Sequence, residues 1–160
     1  MDSEPEGEGW RIGYVGHKDF STDAVLQGVS LLRSQAPEGS LKIIDPHQLK
    51  DIIHEFYVVI MQGEFVGCFR IFQPTSLKVH NTLELGSVVS AKRGVGGFIA
   101  EQAGLISLEK KLPIIAVTRG RFANILKHRG WKIRKRKYKQ RRSESCSSKV
   151  ILEFKPKYKK

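Results

Sequence analysis

A glycine-rich turn between a predicted strand and a predicted helix constrains this chain more than any other feature of its sequence. The strand is predicted over residues 82–90, and the turn follows it as Arg93-Gly94-Val95-Gly96-Gly97. Glycines let backbone N–H groups approach phosphate oxygens, and the amino-terminal end of a helix carries partial positive charge. Lys92 and Arg93 add formal charge, so the pattern is typical of a turn that binds phosphate. Without further context, the same glycine cluster also fits an ordinary tight turn.

Hydrophobic periodicity predicts strands and helices in alternation around this turn. The predicted strands are 10–14, 56–62, 65–72, 82–90, 114–117, 131–140 and 150–154. Helices are predicted to begin at Ser21 or Thr22, at Asp45-Pro46, after the glycine turn, and at Arg121, the first two because of their capping residues. Gly63-Glu64 predicts a type II′ turn between the two strands of a hairpin.

Length and composition favour one domain. A chain of 160 residues can bury a core without disulfides or a structural metal, so we expect an acidic flexible tail at 1–9 and one domain at 10–160. Cys68 and Cys146 are too few for a disulfide framework, and the five histidines are scattered, so no metal site is predicted. The acidic amino terminus and the short apolar runs predict a cytoplasmic protein with no membrane segment.

The positive charge is concentrated near the carboxyl terminus. Residues 1–109 hold nine Lys or Arg against 14 Asp or Glu, whereas residues 110–160 hold 19 against two. Eight of these 19 lie in a basic segment, residues 131–142, inside a predicted carboxyl-terminal hairpin at about 131–160. Basic residues neutralise phosphates and interleaved aromatic rings stack on exposed bases, so this segment predicts contact with tRNA, rRNA or DNA. The candidate residues are Lys132, Arg134, Lys135, Arg136, Lys137, Tyr138, Lys139, Arg141 and Arg142. A solvated hairpin that aids solubility, or that meets a cofactor phosphate, fits the same pattern.

The order of the elements resembles the GNAT superfamily of acyl-CoA N-acyltransferases over about residues 10–155. The family signature Arg/Gln-x-x-Gly-x-Gly/Ala matches residues 93–98, with Phe98 in place of the small sixth residue. The resemblance implies an α+β (α/β) fold with a mixed, mostly antiparallel central sheet flanked by helices and splayed at the acyl-CoA site. It also implies that acetyl-CoA, or another acyl-CoA, is bound at this turn through its pyrophosphate.

The resemblance gives further positions a role. The backbone of Val88 and Val89 would pair with the pantetheine arm of the cofactor, beside the turn residues Lys92–Phe98. Asn124 lies in a segment that looks like the asparagine-containing helix of the family, followed by Gly130-Trp131 in place of Gly-Phe. Asn124 would then contact the cofactor. The alternative is that Asn124 is an ordinary residue of the helix surface with no contact to the cofactor.

Glu84 resembles the position from which several members of the family supply a general base. A solvated strand carboxylate is the alternative. The usual general acid of the family, a tyrosine four residues before the glycine, is replaced here by Leu126. Either the thiolate leaves without it, or His128 or Tyr138 substitutes, or the enzyme is slow, or the domain only binds.

Three functions fit these observations. The first is an N-acyltransferase, by family analogy an acetyltransferase, whose amine acceptor lies on or near a nucleic acid, such as aminoacyl-tRNA, a ribosomal protein or a modified base. The second is an N-acyltransferase for a small amine or peptide, with the basic segment unconnected to catalysis. The third is a non-catalytic GNAT-like domain that binds a nucleic acid or a partner protein.

Overall fold

The computed structural model describes residues 9–36, 41, 43–73, 81–118, 120–134 and 150–156. Among these residues the strands are β1 (Trp10–Tyr14), β2 (Phe56–Met61), β3 (Glu64–Phe72), β4 (Leu83–Ser90), β5 (Ile114–Thr118), β6 (Lys132–Ile133) and β7 (Val150–Phe154). The helices are α1 (Thr22–Gln35), α2 (Pro46–Ile52), α3 (Val95–Lys110) and α4 (Gly120–His128), and a 3₁₀ turn, Ile53–Glu55, follows α2.

The strands form one mixed sheet in the order β1-β2-β3-β4-β5-β7-β6. The pairs β1–β2, β2–β3, β5–β7 and β6–β7 are antiparallel, and β4–β5 is parallel. The predicted α+β class with a mostly antiparallel sheet is therefore confirmed.

The described residues divide between two compact units. The first takes its residues from Met1–Ile71 and Ser87–Ile99, and the second from Phe72–Gly86 and Ala100–Lys160. Strand β4 and helix α3 each contribute to both units. The prediction of one domain at 10–160 stays a prediction, and the predicted tail, apart from Gly9, lies outside the described residues.

Helix α1 builds the core of the first unit. It begins as predicted, because the Ser21 hydroxyl accepts a hydrogen bond from the Ala24 N–H at 3.0 Å. Its apolar stripe, Val25, Val29 and Leu32, is fully buried in one cluster with β2 residues and Cys68. Each such side chain contributes about 1.5–3 kcal/mol on burial, so this stripe holds the helix on the sheet.

The β2–β3 hairpin has a different turn from the predicted one. The strands end at Met61 and begin again at Glu64, so the loop consists of Gln62 and Gly63, which have φ of 50° and 79°. Positive φ at both central residues is the type I′ pattern, not type II′. The prediction placed the turn one residue too late, because Gln62 rarely adopts this conformation and gave no signal of it.

The second unit is built around β5. Leu83, Glu84 and Leu85 of β4 pair with Ile114, Ile115 and Ala116, and β7 runs antiparallel along the other side of β5. Ile114, Ile115 and Leu152 are fully buried. Helix α4 ends at His128, and Gly130 follows it with φ 92°, its N–H donating to the Lys127 carbonyl.

The described part of the basic segment is short. Strand β6 covers Lys132 and Ile133, and the Arg134 N–H donates to the Ile151 carbonyl at 2.8 Å. The remaining candidate residues, Lys135, Arg136, Lys137, Tyr138, Lys139, Arg141 and Arg142, lie outside the described residues, as does Cys146. Within the described ranges, no helix combines the length and the apolar character needed to cross a membrane.

Candidate functional site

The predicted strand, turn and helix are all present at residues 83–110. After β4 the chain bends at Lys92 and turns through Gly94, whose φ of 88° is one that glycine adopts without strain. The Val95 N–H donates to the Lys92 carbonyl at 3.2 Å, and the Phe98 N–H donates to the Gly94 carbonyl at 3.1 Å. These two hydrogen bonds close the turn and open α3.

The first turn of α3 offers the features of an anion site. The leading N–H groups of an α-helix have no carbonyl partner within the helix, and those of Gly96 and Gly97 are among them. The side chain of Arg93 is exposed beside them. Lys92 is also exposed, and its Nζ lies 3.5 Å from a carboxylate oxygen of Glu64. Because both partners of this pair are in water, the pair adds little stability and leaves the lysine charge available.

Gly67 of β3 packs closely against Val95, the first residue of α3, and against the backbone of Val89. The sequence alone did not predict this contact. A Cβ atom at this position would lie 2.5 Å from Val95 Cγ1 and 2.9 Å from the Val89 carbonyl oxygen. Val95 is fully buried. Only a residue without a side chain lets the first residue of α3 pack so closely on the strand, and a glycine inside a predicted strand is the signal that could have indicated it.

Phe98 also has a packing partner. Its ring meets the Trp10 ring edge to face, with centroids 5.3 Å apart and planes at 76°. This contact between β1 and the first turn of α3 accounts for a large residue at the sixth position of the signature, where a small one is usual.

The second half of β4 is irregular. Its described pairs with β5 end at Leu85↔Ala116, and the strand continues through Val88 and Val89 to Ser90. Ser87 has φ 51°, an uncommon conformation for a residue other than glycine. Val88 is half-buried and Val89 is buried. The role of these two backbones in cofactor binding stays a prediction.

Cys68 lies in the core and not in a reactive site. Its side chain is fully buried, and burial raises the pKa of the thiol to about 12, although the Arg33 guanidinium and a backbone hydrogen bond at Val89 oppose the shift. A thiol with this pKa stays protonated at neutral pH, so it is a poor nucleophile. Cys68 is therefore a small residue of the hydrophobic core.

The candidate chemical residues of the second unit lie on β4 and α4. Glu84 is half-buried on β4, opposite Ile115 in the parallel register. Asn124 and His128 are one helical turn apart on α4, so they share a face, and both are exposed. Their catalytic and cofactor-binding roles stay predictions.

Leu126 occupies a core position. It is fully buried, and its carbonyl accepts hydrogen bonds from the N–H groups of Arg129 and Trp131, at 3.0 and 3.1 Å. The residue that stands where the family has its tyrosine therefore packs inside the second unit. Tyr138, one of the two substitutes considered for that acid, lies outside the described residues, whereas His128 is accessible to solvent. In the part of the chain that the structure describes, no group of three His, Cys, Asp or Glu residues is arranged to hold a metal.

The sequence matches no family model and no curated protein. Solved structures do match it. An acetyltransferase of the GNAT family from Streptococcus pneumoniae superposes with a TM-score of 0.67 and 11% identity, over 91% of this chain and 98% of the other. An acyl-CoA N-acyltransferase from Pseudomonas aeruginosa gives a TM-score of 0.58 and 14% identity, over 90% of this chain and 95% of the other.

A larger protein matches as well. N-acetylglutamate synthase from Neisseria gonorrhoeae, solved with coenzyme A and N-acetyl-glutamate, gives a TM-score of 0.62 and 15% identity over 90% of this chain. The chain spans only about a third of that synthase, 34% of its length. Together these matches establish that the chain has the GNAT fold, which confirms the fold that the sequence resemblance implied.

Proposed function

We propose that this protein is an N-acyltransferase that moves an acyl group, in the first instance acetyl, from acyl-CoA to an amine. The observation that carries the proposal is the turn at Lys92–Gly94, which leads from β4 straight into the first turn of α3 with Arg93 exposed beside it. The GNAT fold adds support, because the similar solved structures include an acyl-CoA N-acyltransferase and a synthase complexed with coenzyme A.

The turn would hold the pyrophosphate of the cofactor. The N–H groups of Gly96 and Gly97 point along the helix axis toward the anion, and Arg93 contributes a full positive charge. Val95 and Phe98 fix the turn by packing on the sheet and on Trp10. The backbone of Val88 and Val89 and the side chain of Asn124 would complete the cofactor contacts.

In this reaction the amine nitrogen attacks the thioester carbonyl carbon, an amide bond forms and the carbon–sulfur bond breaks. The amine loses a proton and the thiolate of CoA gains one. Glu84 is the proposed general base for the first of these transfers. His128 is the proposed donor for the second, because Leu126 is buried and has no proton to give.

Charge reversal at Arg93 tests the cofactor site. We expect Arg93→Glu to weaken acetyl-CoA binding by about tenfold, because an exposed carboxylate would then face the pyrophosphate. Calorimetric titration with acetyl-CoA measures the affinity of each variant. Lys18→Glu is the matched control, since Lys18 is exposed in the loop after β1 and the change alters net charge equally. Equal weakening in both variants, or none in Arg93→Glu, would contradict the assignment.

The amine acceptor is proposed to lie on or near a nucleic acid, in a cytoplasmic setting. The support is the concentration of basic residues at 131–142, of which Lys132 is exposed. Arg134 is less available, because it is half-buried and lies 3.8 Å from Glu153. The test therefore uses other residues of the segment.

Replacing Lys135, Arg136 and Lys137 together by Ala should weaken tRNA binding by about tenfold and flatten its salt dependence. Fluorescence anisotropy at two or more salt concentrations measures both quantities. The control replaces Lys110, Lys111 and Lys127 by Ala. These three lysines are exposed, and their replacement removes the same amount of positive charge. If the control variant loses as much affinity, net charge and not the basic segment attracts the nucleic acid.

A second candidate function is binding without catalysis. The observation that favours it is Leu126, a buried leucine where the family has its tyrosine. Acetyl-CoA that binds at the turn but is not consumed in the presence of a broad panel of amines would support this function. Turnover that falls in Glu84→Gln with unchanged acetyl-CoA affinity would support the transferase.

A further inference from the structure

A cavity that is open to solvent lies between helices α1 and α2 in the first unit, and none of its described lining residues is used in the proposed acyl transfer. Its volume is about 340 Å³, and it shares none of its described lining residues with the glycine turn or β4. Pockets that bind small molecules have volumes of about 300–1,000 Å³, so this one is large enough for a small ligand.

The cavity has an apolar floor. Leu49 of α2 is buried, with 6% of its surface exposed, and Leu26 of α1 and Ile44 are half-buried around it. Leu26, Ser30 and Arg33 follow one another at helical spacing along the flank of α1, next to the stripe that faces the core. The flank of α1 thus supplies Leu26, Ser30 and Arg33 to one wall.

The polar part of the cavity is positively charged. Arg33 from α1 and Lys50 from α2 both line it, and no acidic residue appears among its described lining residues. Lys50 is exposed at the rim and Arg33 is half-buried. Burial lowers the pKa of the Arg33 guanidinium, Cys68 opposes this shift and Arg70 adds to it.

We propose that this cavity binds a small amphipathic carboxylate, with its apolar body against Leu26, Ile44 and Leu49 and its carboxylate toward Arg33 and Lys50. A guanidinium binds a carboxylate through two parallel N–H donors, and a neighbouring ammonium adds a second positive charge. The apolar floor selects for a hydrocarbon body, and the two cations select for its charge. The proposal does not depend on acyl transfer, because it concerns other residues.

Three probes of equal chain length separate these features. Hexanoate has the chain and the negative charge, hexanol has the chain alone, and hexylammonium has the opposite charge. Titrations followed by protein NMR, without any acyl-CoA, should show hexanoate binding with a Kd on the order of 1 mM and the other two at least tenfold more weakly. The shifted resonances should include those of Leu26, Ile44 and Leu49.

Two variants locate the site. Lys50→Gln should weaken hexanoate binding by about fivefold to tenfold, whereas Lys18→Gln, the same change at another exposed lysine, should leave it unchanged. Ser30→Phe places a ring at the exposed rim and should abolish binding without lowering the melting temperature. Hexanol binding as tightly as hexanoate, equal losses in the two lysine variants, or no saturable binding up to the solubility limit of hexanoate would each overturn the proposal.

Discussion

The Gly67→Ala protein should be less stable than the original by about 2 kcal/mol and should bind acetyl-CoA at least about tenfold more weakly. The added methyl carbon would lie 2.5 Å from Val95 Cγ1 and 2.9 Å from the Val89 carbonyl oxygen, both closer than atoms can pack. Val95 is fully buried and the oxygen belongs to the backbone, so neither can move away cheaply. Relief requires the first turn of α3 to rise from the sheet, which displaces the N–H groups proposed to bind pyrophosphate.

Gly104→Ala is the matched control. Gly104 lies within α3, and a Cβ there would be 3.6 Å from the Phe154 ring, an ordinary contact distance. Alanine is favoured over glycine inside a helix by about 1 kcal/mol, so this variant should be as stable as the original or more so, with unchanged cofactor affinity. Urea unfolding and calorimetric titration measure the two effects. A Gly67→Ala protein with normal stability would show that β3 and α3 are less tightly packed than described.

The second large effect is a loss of stability at alkaline pH caused by Cys68. Burial raises the pKa of its thiol from an ordinary value of 9.0 to about 12 in the folded protein. The stabilising contribution of the protonated thiol is complete below pH 9 and falls as pH rises from about 9 to about 12, because only the unfolded chain can ionise freely in that range. The expected loss from this group is about 1 kcal/mol by pH 10 and about 3 kcal/mol by pH 11.

Cys68→Ala should lack this pH dependence, although the smaller side chain makes it less stable at neutral pH. Val58→Ala is the control, because Val58 is the register partner of Cys68 and is equally buried but has no thiol. It should lose stability at neutral pH and keep the alkaline slope of the original protein. Denaturant unfolding at several pH values gives the comparison, and parallel slopes in all three proteins would refute the role assigned to the thiol.

Local signals made much of the fold predictable. The cap at Ser21 and the Asp45-Pro46 start of α2 act over three or four residues, and both are present, the latter as a capping box with Gln48. The glycine turn was predictable for the same reason, since a strand, a Gly-rich turn and a helix follow one another directly. The hairpin was also predictable, although its turn type was not.

Other features depend on residues far apart in the sequence. The close approach of Gly67 to Val95, the ring contact of Trp10 with Phe98, and the parallel pairing of β4 with β5 all require the tertiary structure. Leu126 is a mixed case. The sequence showed that the tyrosine of the family is missing, but only the structure shows that the leucine is fully buried. A leucine side chain has no acidic proton, so His128 is the described candidate for the donor in the proposed acyl transfer.

The edge-to-face contact of Trp10 with Phe98 gives the protein an intrinsic fluorescent probe. The chain has two tryptophans, and the other, Trp131, lies in the second unit. A Trp131→Phe protein would therefore fluoresce from a single indole, in direct contact with the first turn of α3. Changes in its emission on addition of a nucleotide ligand would follow that turn in solution without any attached dye.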